Sequence, residues 1–561
     1  MFPRIKNYFL RAKWYLLVCL LTIPTIVALF RPGFFPMHDD ISALRIDQMQ
    51  QCFHDLQLPC LWSPDMGYGY GYPQFEYYGP LPYYMMTLGH SLGLSLFASV
   101  KLGFILPMVL GSLAMFLLAS TLFGNWGGLL STMAYAYAPY RASDLYSRGA
   151  MGEHWAFIFM PLILFALVRL FKKPNLRTAS LLALSYAGLL VTHNITTLIF
   201  TPMVAVLALF LLFISTKKRK FIKFGLFGLI WSVLIAGFFL IPVVLEKDYA
   251  HTESLIEGYF NYLAHFATIK QLLFTTFWGY GSSEIGPTDD LSFFVGPVQL
   301  LLFILSLLIV LKEFRNKKTL PFYLVIASTI FMTTSLFMAH QKSTFIWKLV
   351  PVLAFLQFPW RFLITANFFL TLVAGYSLKF LQGKKAFLLA SVMIFFLIFF
   401  NVSFFRPRDW YDLSIYEKFS GQSWDSQLTR SIFDYLPIFA KFPPGTPAPQ
   451  YPYAANRTPV GILDYVHRSN SISFNSNTQK NITLVLPQFF FPGWRVTIDN
   501  RTVPINYKND LGLISFDLPP GTHLVRAHLG LTPVRLVGDL MTLIAFPAAF
   551  YILTRKKYEN S

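Results

Sequence analysis

The segment WYLLVCLLTIPTIVALFRPGFFPMHDD, residues 14–40, sets the reading of the whole chain. From Trp14 to Phe30 it is an apolar run of the length that crosses a bilayer core, about 17–25 residues. Arg4, Lys6, Arg11 and Lys13 precede it, and no small-residue cleavage site follows TIVALF. The run is therefore expected to remain as a signal anchor, with its basic end in the cytoplasm. A short distance beyond its end come the adjacent acids Asp39 and Asp40, which must then lie close to the opposite membrane surface.

The rest of the sequence extends this pattern. Of 561 residues, 55% are hydrophobic and only 13% charged, too apolar for a water-soluble fold. The net charge of +19 comes from short clusters between apolar runs, not from one basic face, which speaks for membrane topology and against nucleic acid. Aromatic residues make up 18%, a level suited to lipid-facing helices and interfacial belts and compatible with sugar-stacking surfaces.

About twelve transmembrane helices are predicted: residues 14–30, 102–123, 126–140, 155–171, 179–191, 195–214, 221–245, 295–311, 320–339, 362–380, 386–400 and 536–553. With the N-terminus cytoplasmic, the clusters around Lys172, Lys217, Lys312, Lys384 and Arg555 all fall inside, and so does the C-terminus. Two further apolar stretches, after Pro80 and before Pro359, are short or interrupted and are read as interfacial or re-entrant helices. The expected organisation is a transmembrane domain over 1–401 with outer loops 31–101, 141–154 and 246–294. An extracytoplasmic domain follows over 402–533, and a last helix with a basic tail over 534–561. Within 402–533, alternating stretches from about residue 481, separated by Asp499-Asn500, Asn509-Asp510 and Pro520-Gly521, predict β-hairpins and a small outer β-sandwich. Cys19 lies in the first apolar run; Cys52 and Cys60 lie in the first outer loop, either bonded or free.

Candidate chemistry collects on the outer side. The first loop is acidic in a basic protein; Asp39 and Asp40 are its most suspicious pair, because adjacent carboxylates tune each other's protonation or can hold a divalent cation. Ordinary solvated charges, or capping of a helix from Ile41, are the bland alternatives. Arg45 and Glu76 share this loop. The second loop, YRASDLYSRGAMGEHW, packs Arg141, Asp144, Arg148, Glu153 and His154 between apolar spans, as interfacial ion pairs or as a phosphate or sugar site. His193 and Arg361 end and begin spans on the same face, where snorkelling anchors compete with ligand binding. The spans carry almost no charge at mid-depth, which disfavours a coupled transporter. No Walker sequence, zinc or haem spacing, or GxSxG motif occurs, and no cofactor or metal set is assigned.

The layout, with a first span, a long loop opening on an acidic pair, many further spans and a terminal β domain, resembles the GT-C superfamily of membrane glycosyltransferases. The motifs HDD, PDMGYGYGYPQFEYYGPLPYY, YSRGAMGE, WGYGSSEIG and FPWRFL look like a bacterial membrane family labelled 6-pyruvoyl-tetrahydropterin synthase-related, and PGWRVTIDN with PPGTHLV is similar to YfhO-like proteins. The three-histidine zinc site of the soluble synthase has no counterpart here. The GT-C likeness implies a protein integral to the cytoplasmic (inner) membrane that transfers a sugar from a polyprenyl-phosphate donor to a cell-envelope glycan, lipid or protein outside the cytoplasm. Asp39 or Asp40 would be the base and Arg148 or Arg361 the cation that stabilises the departing phosphate, with Arg45, Glu76, Arg141, Glu153, His154 and His193 also around the substrates. The alternative reading is a non-catalytic binder or translocator of lipid-linked glycans.

Overall fold

The computed structural model describes residues 2–284, 288–314, 319–430 and 432–555, with side chains from residue 12. The basic residues Arg4, Lys6, Arg11, Arg315, Lys317, Lys318, Lys556 and Lys557, used above to orient the chain, lie outside the described side chains. Among the described residues, seven helices are long and apolar enough to cross a membrane, or eight if the pair Lys218–Ile235 and Gly237–Leu245, bent by 80°, is one span. The chain is thus an integral membrane protein.

The difference from about twelve has local causes. The stretch Leu96–Ala136 is unbroken as a helical run of 41 residues, yet Gly124 inside it is non-helical, with φ 76° and ψ 177°. A Cβ on Gly128 would lie 2.7 Å from Ser120 Cα. Residues eight apart in a straight helix are about 12 Å apart along the axis, so the chain reverses at Gly124. The two expected spans 102–123 and 126–140 are therefore the arms of one helical hairpin. Leu176–Leu190 and Pro297–Glu313 are helical but only 15 and 17 residues long. The apolar stretch after Pro80 becomes the helix Leu81–Ser91, and the one before Pro359 gives Thr344–Leu349 followed by a tight turn. Neither is long enough to span.

The β region begins earlier than residue 481. Its strands are β1 (Tyr453–Ala454), β2 (Gly461–Arg468), β3 (Ser471–Thr478), β4 (Ile482–Phe489), β5 (Trp494–Ile498), β6 (Arg501–Val503), β7 (Leu513–Leu518) and β8 (Gly521–Leu529). They form a three-stranded sheet β1-β4-β7 and a five-stranded sheet β2-β3-β8-β5-β6, with antiparallel pairings. Phe474, Leu484, Leu486, Phe489, Val496, Phe516 and Val525 fill the space between them. Asp499 and Asn500, both at positive φ, close the β5–β6 hairpin as a two-residue turn, the geometry whose twist suits the flanking strands. β2 escaped the sequence reading because its residues are mostly exposed and show no alternation.

One end of the helix bundle is where the long loops and the sandwich meet. The GYGYG loop needs its glycines there: a Cβ on Gly71 would sit 2.2 Å from Trp62 Nε1 and 2.3 Å from Gln488 Nε2. Gln488 donates to the Tyr70 carbonyl at 2.8 Å, and Tyr70 packs on Phe489. Phe34 bridges Tyr411, and Cys52 and Cys60 are joined in a disulfide. Cys19 is free.

Candidate functional site

The segment leaving the first helix is laid against the second loop by its backbone. His38 N donates to the Ser147 carbonyl at 3.0 Å and Asp39 N to the Arg148 carbonyl at 2.9 Å. Gly149, at φ 64°, allows this approach, since a Cβ there would be 2.3 Å from Met37 Sδ. Residues Asp144–Arg148 form a widened π-type turn, a deviation common where side chains must be aimed at a site.

That turn and the following helix build a buried charge network. Arg148 Nη1 donates to Asp144 Oδ1 at 2.7 Å and to the Tyr140 hydroxyl at 3.2 Å, while Nη2 donates to Glu153 Oε2 at 2.8 Å. Tyr140 in turn donates to Glu153 Oε1, and the guanidinium lies 4.6 Å from the Trp360 ring centroid. His154 Nδ1 is 3.2 Å from Asp144 Oδ2. Arg148 thus has two carboxylate partners of its own. Burial pushes the Asp144 carboxyl up, against the pull of Arg148 and Arg141.

Arg45 and Arg361 differ: among the described residues neither has a carboxylate in ion-pair contact. Arg45, on the helix Ser42–His54, donates to the Tyr83 hydroxyl at 2.9 Å and lies 4.1 Å from the Tyr78 ring centroid. Arg361 donates to the Leu356 carbonyl and to Gln357 Oε1, at 2.8 and 2.9 Å. Both Nε atoms are buried and unpartnered. Gln357 holds φ 64°, a conformation costly for a side-chain-bearing residue and found preferentially at functional sites.

The acidic pair separates. Asp40 Oδ2 meets Lys418 Nζ at 2.6 Å, and burial raises its carboxyl while Lys418 pulls it back. Asp39 is exposed, and among the described residues its carboxylate has no hydrogen-bond or ion-pair partner. Its charge nevertheless reaches Arg45 and Arg361. Neither acid caps the helix that starts at Ser42, whose N-cap Ile41 receives no side-chain bond. With Asp40 held by Lys418, the pair does not present two free carboxylates to a cation. Among the described residues no group of three or more His, Cys, Asp or Glu is arranged as a metal site.

Other candidates go elsewhere. His193 caps the helix Asn194–Ile214 through Thr196, and burial lowers it to about 3, so it stays neutral within reach of Glu153 and Arg361. Arg141 turns into the bundle, donating to the Pro107 carbonyl at 3.0 Å and lying over Tyr135 and Phe157. Glu76 is away from this network: it shares Arg535 of the last helix with Glu246, each at 2.9 Å. Burial raises Glu76 well above the usual carboxylate range, with Arg535 opposing. Roles that the sequence reading did not assign are those of Tyr78, Tyr83, Tyr140, Trp360 and Lys418. Only the clustering of tyrosines in YYGPLPYY hinted at the first two.

The loop carrying WGYGSSEIG covers the network. The Tyr280 carbonyl meets His38 Nε2 at 3.0 Å, and Ser283 Oγ takes a hydrogen bond from Trp360 Nε1 at 3.1 Å while bonding Asp289 and His265. Residues 285 and 286 of that motif lie outside the described residues.

No family model matches the chain, so the likeness to the pterin synthase-related family and to YfhO-like proteins rests on the motifs alone. An uncharacterized protein of Lactococcus lactis subsp. cremoris (strain MG1363) is 25% identical over 356 residues, 60% of this chain and 54% of that protein. The chain thus spans about half the length of the curated relative it matches. Among solved structures, the arabinofuranosyltransferase AftD from mycobacteria aligns with TM-score 0.47 and 16% identity, over 72% of this chain and 27% of AftD. A mutant form of AftD aligns at 0.45, also with 16% identity, over 72% of this chain and 28% of AftD.

Proposed function

We propose that the protein is a GT-C-type membrane glycosyltransferase that takes a sugar from a polyprenyl-phosphate donor and gives it to an acceptor on the non-cytoplasmic side. The observation that carries this reading is Asp39, a carboxylate without a direct partner among the described residues, beside the buried Arg45 and the half-buried Arg361, which no described carboxylate neutralises by direct contact. A lipid phosphate supplies the missing negative charge, and Arg binds it with parallel hydrogen bonds. The Cys52–Cys60 disulfide favours an oxidising compartment for this end of the molecule.

In the reaction, the acceptor hydroxyl oxygen attacks the anomeric carbon as the bond from that carbon to the phosphate oxygen breaks. Asp39 takes the hydroxyl proton, a contribution of about 10²–10⁴-fold. The phosphate leaves on the lipid with its charge held by Arg45 and Arg361, preorganised away from water. Arg148, Asp144, Glu153 and Tyr140 form the rigid floor beneath, and Trp360 links that floor to the covering loop.

The test is turnover by the purified chain in nanodiscs, with a panel of polyprenyl-phosphate sugars and release of polyprenyl phosphate as the readout. Release that depends on acceptor supports the reading. Donor retained without turnover in any combination overturns it in favour of a binder or translocator.

A further inference from the structure

A polar recess lies outside the membrane bundle, where the first long loop meets the rim of the five-stranded sheet. It is a cleft of about 830 Å³ lined by Asp65, Pro449, Tyr451, Asp464, Tyr465 and His467, among others. That volume is within the range of small-ligand sites, about 300–1,000 Å³.

Its wall is an edge strand that keeps apolar and aromatic groups in the open. Leu463 is 65% and Val466 44% exposed on β2. The pairing of β2 with β3 slips between these two residues, and Asp464 within the slip has φ 52°. Such a bulge re-aims side chains and adds twist. Here it brings Tyr465 against Phe474 on one side and, at 5.5 Å between centroids, edge-on to the half-exposed Tyr451. Two aromatic rings set at 69° form a corner open to solvent.

Polar groups converge on that corner. Asp65 Oδ2 receives Gln48 Nε2 at 2.8 Å and Gln51 Nε2 at 2.7 Å, which fixes the carboxylate. Asp464 Oδ2 receives Asn475 Nδ2 at 2.9 Å. Desolvation lowers His467 against the pull of Asp65 and Gln488, and the two carboxylates Asp65 and Asp464 line the recess. Flat rings beside fixed carboxylates suit a ligand with apolar C–H faces and many hydroxyl donors, and they disfavour an anionic one.

Position ties the recess to the charged site. Gln48 and Arg45 are on the same helix, three residues apart, or about 4.5 Å along its axis. The residue that fixes the cleft's Asp65 and a guanidinium of the proposed transfer site are therefore carried by one helix. We infer that the cleft is a binding site for a neutral oligosaccharide, holding the sugar units of the acceptor that lie beyond the one being extended. The carbohydrate site stands on the cleft itself; its role as an acceptor subsite rests on the glycosyltransferase reading.

Titration calorimetry of the full chain in nanodiscs tests this, with neutral linear hexasaccharides of glucose, mannose and galactose as probes and hexagalacturonate as the acidic control. At least one neutral probe should bind and the acidic one should not. Tyr451→Ala and Tyr465→Ala should each weaken binding at least ten-fold, and Tyr465→Phe should retain it, because the ring and not the hydroxyl makes the contact. No binding by any neutral probe, equal binding of the acidic one, or binding unchanged in both alanine variants would overturn the inference. Capture of extended peptides along β2, insensitive to the two tyrosines, would likewise overturn it in favour of strand addition. If the glycan binds as expected but the purified chain turns over no donor, the transfer reading fails and the cleft stands. If donor turns over with the acceptor KM unchanged in both alanine variants, the subsite fails and the transfer reading stands.

Discussion

Substituting Asn at each member of the acidic pair should give opposite phenotypes. Asp39 is exposed and, among the described residues, without a direct partner, so Asp39→Asn should leave stability within about 0.5 kcal/mol. It also removes the only proton acceptor the mechanism offers, so turnover should fall by about 10²–10⁴-fold with donor binding retained. Asp40 is paired at 2.6 Å with Lys418, and the two side chains are 26% and 5% exposed. Asp40→Asn strands a buried ammonium. Breaking a fully buried pair costs about 3–5 kcal/mol, and partial exposure of Asp40 brings this to about 2–3 kcal/mol. Asp40→Asn should therefore unfold earlier in denaturant, with near-normal kcat for the molecules that remain folded. Paired measurements of kcat and of the unfolding midpoint in nanodiscs check both arms. Full activity in Asp39→Asn, or a kcat loss in Asp40→Asn as large as in Asp39→Asn with stability unchanged, would refute the assignment.

Arg45→Lys and Arg361→Lys should fold but weaken retention of a polyprenyl-phosphate probe at least ten-fold, since an ammonium cannot reproduce the two-pronged contact; equilibrium binding measures it. Arg148→Met should instead prevent folding, because Asp144 and Glu153 would be left buried without a cation, at about 3–5 kcal/mol; the fraction recovered as monodisperse protein is the readout. Glu76 is raised by burial, so the folded chain keeps a proton there that the unfolded chain loses above about 4.5. Stability should therefore fall as pH rises from that value toward the folded one, and Glu76→Gln should flatten the slope in pH-dependent melting. Replacing Cys52 and Cys60 together by Ser should cost about 2.5 kcal/mol from loop entropy alone, given their separation of 8 residues; denaturant midpoints with and without reductant report it.

The helices were legible because a run of apolar residues has few alternatives in a bilayer, and the β5–β6 hairpin because Asp499-Asn500 demands its turn. The span count was less legible. The runs 102–123 and 126–140 read as separate and meet as a hairpin at Gly124, but the break at Ala236 leaves no mark in composition. β2 was invisible because an edge strand exposed on both faces has no alternation to detect. At the site, residue types drew attention to Arg148, Glu153 and Arg361, whose charges lie within reach of one another. The division of labour did not show. Asp39 and Asp40 differ through Lys418, 378 residues away, and Glu76 is claimed by Arg535, on the last helix. Such partners are set by the fold, and adjacency in sequence does not encode them.

The late origin of those partners also orders biosynthesis. The loop that carries Asp39 emerges early, but its backbone is strapped to Tyr411, its neighbour Asp40 awaits Lys418, and Glu76 awaits Arg535. At about 5–20 residues per second, Arg535 follows Asp40 by roughly 25–100 s. During that interval the growing chain holds an exposed acidic loop and an unmatched pair of glutamates at the membrane surface. A chain cut short before its last helix therefore leaves Glu76 and Glu246 without the Arg535 that the finished fold sets between them.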